Sequence, residues 1–162
     1  MQILVKTFRW ASLISLPVFW LTIPNPAIAG DIGSCADSLI TDGVAESAAA
    51  AACSDALEPT VLSSCVEDIS SDPNIEGNAA LQACYRVRRP DELASCVTTI
   101  SSSLESESTM ALDTCRRSLL PIRHAECTVD LAGITNISSE EAMESCIAAE
   151  FRPSEVDPAI AN

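Results

Sequence analysis

Aromatic side chains are scarce, and most of them sit in the first 29 residues. Trp10, Trp20, Phe8 and Phe19 fall there together with the only lysine, Lys6, which leaves Tyr85 and Phe151 as the aromatics of the remaining chain. Large rings normally supply much of a core's buried area. Here Ala, Leu, Ile and Val must build the core, and a small domain made that way usually needs covalent reinforcement. Positive charge is scarce too: beyond residue 29, seven arginines face all 23 acids, a net charge of −16. A nucleic-acid binder needs a basic stripe, often with stacking aromatics, so that class is excluded. Anionic membrane surfaces are disfavoured by the same charge.

Other absences narrow the chemistry. His124 is the single histidine, and there is no Gly-rich nucleophile turn, so no acyl-transfer constellation can be assembled. Carboxylates are plentiful, but nothing singles out two of them as an acid/base pair. The chain therefore reads as a non-enzyme with no cofactor. No C-x2-4-C pair is present, which removes the usual structural zinc site. The one long apolar run, Trp10 to Ile23, is too short to span a bilayer, which needs ~20 residues. Preceded by Lys6 and Arg9 and followed by Ala27-Ile28-Ala29, it predicts a signal peptide over residues 1–29, cleaved after Ala29.

What the chain does contain is cysteine at regular intervals. Cys35, Cys53, Cys65, Cys84, Cys96, Cys115, Cys127 and Cys146 are separated by steps of 18, 12, 19, 12, 19, 12 and 19. A proline follows alternate cysteines by six residues, at Pro59, Pro90 and Pro121. Ala49-Ala50-x-x-Cys53 recurs as Ala80-Leu81-x-x-Cys84, Ala111-Leu112-x-x-Cys115 and Ala142-Met143-x-x-Cys146, one face of a helix that we label A. Leu62-x-x-Cys65-Val66-x-x-Ile69 recurs as Leu93-x-x-Cys96-Val97-x-x-Ile100, a second helical stripe, B. A weaker copy of B surrounds Cys127, with His124 in the leucine position, and a truncated one follows Cys35. Proline ends A and opens B. Helix A is expected to stop near Asp55–Glu58, Arg86–Arg88 and Arg116–Ser118, with Leu119 and Leu120 extending the apolar face of the third copy. Acidic, Ser-rich stretches between B and the next A read as loops and caps.

These observations predict an all-α fold: a short solenoid, or a compact bundle, of about four disulfide-stapled antiparallel helical hairpins with a ~31-residue repeat over residues 30–150. Residues 151–162 read as a tail. In architecture alone the pattern resembles solenoids of the tetratricopeptide kind, without the Trp, Gly and Tyr positions of that motif. Eight cysteines in an exported chain point to an oxidising compartment. Of the two periodic pairings, linking across the proline turn strands Cys35 and Cys146. Linking across the acidic loop uses every cysteine: Cys35–Cys53, Cys65–Cys84, Cys96–Cys115 and Cys127–Cys146. Parity selects the second scheme. A lipobox-like echo, Ile32-Gly33-Ser34-Cys35, would instead make Cys35 a lipid anchor and leave Cys53 alone.

Candidate sites are few. Asp72-x-Asn74-x-Glu76-Gly77 echoes half a calcium loop, but Ala83 stands where the bidentate glutamate belongs. No metal site is therefore expected, and weak calcium binding by the acidic loops is the only cation reading left. His124 should be packed in the apolar face, with a pH sensor as the sharper alternative. Asn136-Ile137-Ser138 is a sequon. Arg86, Arg88, Arg89, Arg116, Arg117 and Arg123 crowd the A–B turns, beside Tyr85. Cations at helix C-termini complement the macrodipole, yet Arg and Tyr are also the types enriched at binding hot spots. The reading that results is a secreted or periplasmic, non-catalytic helical-repeat protein that binds another protein through these residues. The alternatives are an envelope-associated structural protein, an inhibitor of an extracellular hydrolase, or an acidic cation-binding protein.

Overall fold

A computed structural model describes residues 29–104, 108–134 and 136–151. Among them are eight α-helices and no strand: α1 Ala29–Thr41, α2 Glu46–Asp55, α3 Pro59–Ser70, α4 Gly77–Cys84, α5 Pro90–Leu104, α6 Ser108–Arg117, α7 Pro121–Ile134 and α8 Ser139–Glu150. Of the predicted leader, residues 1–28, and of the predicted tail, residues 152–162, lie outside the described residues. Odd-numbered helices are the B stripes and even-numbered ones the A stripes. No described helix is long and apolar enough to cross a membrane.

The bridges are Cys35–Cys53, Cys65–Cys84, Cys96–Cys115 and Cys127–Cys146, each joining a B helix to the A helix that follows it. Every cysteine is used, so Cys35 has no thiol to carry a lipid. Four bridges in one small helical domain mark a stabilised module of an oxidising environment. The hairpins then stack: α1 packs on α3, α3 on α5 and α5 on α7, while α6 packs on α8. This serial order is that of a short solenoid. Its centre is built from Leu39, Val66, Ile69, Leu93, Val97 and Ile100, all fully buried. Burying each such side chain stabilises the fold by ~1.5–3 kcal/mol, and alanines at 49, 80 and 111 let the A helices approach closely.

Pro59, Pro90 and Pro121 each stand at the first position of their helix, where a missing N–H leaves no hydrogen bond unmade. Two expectations for the A–B turns need correction. Helix α4 stops at Cys84, ahead of the expected Arg86–Arg88, because Tyr85 is extended and Arg86 takes a left-handed φ of 62°. Leu119 and Leu120 do not continue an apolar face. They lie exposed in the α6–α7 turn, where Ser118 Oγ and the Leu119 N–H donate to the Glu150 carboxylate at 2.6 and 2.7 Å.

On the opposite edge the loops also hold one unit to the next. Asp72 Oδ1 accepts from the Asn74 N–H at 2.9 Å, and its other oxygen accepts from the Ser108 hydroxyl, which opens α6. These hydrogen bonds, the Ser108 one foremost, hold the Asp72 carboxyl below the usual carboxylate range. The half calcium loop is thus an Asx turn tied to the following hairpin. Among the described residues no cluster of three His, Cys, Asp or Glu side chains could hold a metal ion. Asn136 of the sequon is exposed in the α7–α8 loop, and Ser138 caps α8 by accepting from the Glu141 N–H at 3.1 Å.

Candidate protein-binding edge

The three A–B turns fall side by side because the hairpins stack in order. Their neighbours are therefore residues about one repeat apart. Tyr85 Oη donates to Asp55 Oδ2 at 2.5 Å, and Arg86 Nη2 reaches the same oxygen at 2.9 Å. Arg86 also lies 5.0 Å from the Tyr85 ring centroid. Arg89 Nη2 donates to the Leu119 carbonyl at 3.0 Å while Nη1 pairs with Glu92 at 2.9 Å. With Ser118 and Leu119 on Glu150, each turn is latched to the next along one edge. The Tyr85 hydrogen bond, then Arg86, holds the Asp55 carboxyl below its ordinary range. That latch contributes stability above the unfolded carboxylate pKa of ~3.9 and loses it as pH falls through the lower folded value.

The predicted arginines therefore divide. Arg86 and Arg89 serve the latches. Arg117 pairs with Asp113 one turn earlier at 3.2 Å. Arg88, Arg116 and Arg123 are exposed and, among the described residues, have no ion-pair or hydrogen-bonded partner. The left-handed Arg86 costs ~1–2 kcal/mol of backbone strain, and the Asp55 clasp holds it there.

Beside the latches lies a cleft of about 340 Å³ between the first two turns, with Leu57, Val61, Tyr85, Val87 and Arg88 among its walls. Leu57 is 100% exposed. With Leu119, Leu120 and Phe151 it makes the edge apolar as well as basic. The sequence reading named the arginines and Tyr85 but missed Leu57, Val87 and Glu150. A search for acids and apolar residues one repeat away from each arginine would have found Asp55 and Leu119.

His124 stands apart from this edge. It is 1% exposed, and neither ring nitrogen has a hydrogen-bond partner among the described residues. Burial lowers its pKa, and the Glu150 carboxylate opposes the shift. Because the folded value lies below the unfolded ~6.5, the stability it contributes is complete above that pH and is lost as pH falls from there toward the folded value. Leucine holds the matching position in α3 and α5. We expect His124→Leu to raise stability by about 1–2 kcal/mol at neutral pH by removing an unsatisfied buried polar ring. It should also flatten the stability profile below pH ~6.5. Urea titrations across that range decide this, and an unchanged slope would show that His124 is not its source.

No protein-family model, curated protein or solved structure matches the chain.

Proposed function

We propose that the protein is a secreted or periplasmic, non-catalytic binding module that holds another protein along the edge formed by its A–B turns. One observation carries this reading. Arg88, Arg116 and Arg123 have no ion-pair or hydrogen-bonded partner among the described residues and stand with exposed Leu57, Leu119 and Leu120, on a chain whose charge is otherwise strongly acidic. Unpaired arginines next to desolvatable apolar side chains are the composition of binding hot spots. The chemistry they fit is an acidic segment carrying an apolar anchor, because the cations steer and orient it while the leucines supply contact area. The bridges hold the turns in place before binding, which reduces the ordering entropy lost on association.

The test uses the exported protein as bait in its native compartment. A single stoichiometric partner should bind, and Arg88→Glu/Arg116→Glu/Arg123→Glu should weaken it by roughly 30-fold or more, the ~2 kcal/mol of a hot-spot cluster. Arg117→Glu, which removes an arginine already paired, should have a much smaller effect. Equal losses from the two variants would reduce the edge to a non-specific charge effect.

A further inference from the structure

The array has two ends, and each exposes one side of a contact that is otherwise made three times inside it. Every B helix after the first packs a leading side on the B helix before it. Every B helix but the last offers a trailing side to the one after it. On the trailing side, Cys35, Cys65 and Cys96 are at most 1% exposed, as are Leu39, Ile69 and Ile100. The matching residues of α7 differ: Cys127 is exposed and Leu131 half-buried, with Ile134 at 84% beside them. On the leading side, Leu62 and Leu93 are buried, as are Ser63, Ala94, Val66 and Val97. Their counterparts on α1 are Ile32 at 37% exposure, exposed Gly33 and half-buried Ala36, with Ile40 at 41% one turn on.

We propose that these ends are each other's partners: the leading side of α1 in one copy docks on the trailing side of α7 in the next. The occupant is a second copy because α1 presents to α7 the same register of residues that α3 presents to α1 and α5 to α3. The contact continues an interface already built into the chain. It is heterologous, so it does not close on itself, and its products are open chains of copies rather than symmetric dimers. The net charge of −16 that each copy carries beyond residue 29 opposes it. Association should therefore tighten as salt shortens the Debye length from ~8 Å at ~0.15 M to ~3 Å at ~1 M.

The experiment is light scattering or sedimentation on the chain recovered from an oxidising compartment, from micromolar to millimolar concentration. The wild type should grow in mass with concentration without a plateau at the dimer. Ile40→Glu blocks the leading end and Ile134→Glu the trailing end. Both residues are exposed in the single copy, so circular dichroism should be unchanged. Each variant alone should be monomeric, and a mixture of the two should give a one-to-one dimer through the one intact pair of ends. A monomeric wild type, a variant that still associates alone, or a mixture that does not pair overturns the proposal. So does association that appears only in a chain shortened to Phe151, because residues 152–162 would then be what covers α7.

Discussion

Reducing all four bridges should unfold the array. Each bridge closes a loop of 18 or 19 residues, and in the chain-entropy account such a loop is worth ~3 kcal/mol. A whole domain is stable by only ~5–15 kcal/mol, and this one has an alanine-rich core with almost no rings. The loss should appear as collapse of the far-ultraviolet helical signal at moderate reductant, with no recovery until the thiols are reoxidised. The bridges should not open together. Both cysteines of each of the first three lie buried, whereas Cys127 of the fourth is exposed. Thiol–disulfide exchange needs access to a sulfur, so timed alkylation with mass spectrometry should find Cys127 and Cys146 labelled well before the other six. Equal labelling of Cys65 and Cys84 would show that global unfolding, and not access, controls reduction. A helical signal that survives complete reduction would mean that packing alone holds the fold.

Gly77→Ala is expected to be the most damaging single-methyl change. A Cβ at that position would lie 2.0 Å from the Asp42 carbonyl oxygen and 2.9 Å from its carbon. Both are backbone atoms of the α1–α2 turn, held by the bond from the Asp42 N–H to the Ser38 carbonyl at 3.0 Å. Neither side can yield by rotating a side chain. The first turn of α4 must therefore move away, taking Ala80 and Leu81 with it. Overpacking of this kind costs typically 1–3 kcal/mol and occasionally more, and a clash with fixed backbone belongs at the top, about 3 kcal/mol. Gly133→Ala is the control. Its Cβ meets nothing within 4 Å, and it lies in helix α7. It should gain roughly 0.5–1 kcal/mol of helix propensity. Denaturant midpoints for the two variants should move in opposite directions, and a Gly77→Ala midpoint at the wild-type value would contradict the close approach.

Leucine, alanine and cysteine at helical spacing, with proline six residues after alternate cysteines, determine eight helices and where three of them begin. Parity alone settles which cysteines pair, because one scheme strands the two ends and the other does not. These features are legible because they are local or periodic: a proline at a first turn and a stripe at i, i+3, i+4 mean the same thing whatever surrounds them. Stacking the hairpins decided the rest. It engages Arg86 and Arg89 with an aspartate and a carbonyl one repeat away and leaves Arg88, Arg116 and Arg123 without a partner among the described residues. It puts Leu119 and Leu120 in a turn whose hydrogen bonds go to Glu150, and it brings α4 so close to Asp42 that only glycine fits. It also leaves Cys127 exposed while its three counterparts are buried. Apart from Asp55 and Leu119, which lie one repeat from their arginines, no spacing rule reports these outcomes, because each depends on which turn lies next to which. That adjacency exists only once one hairpin is packed on another, and it ends at α1 and α7, the first and last B helices among the described residues.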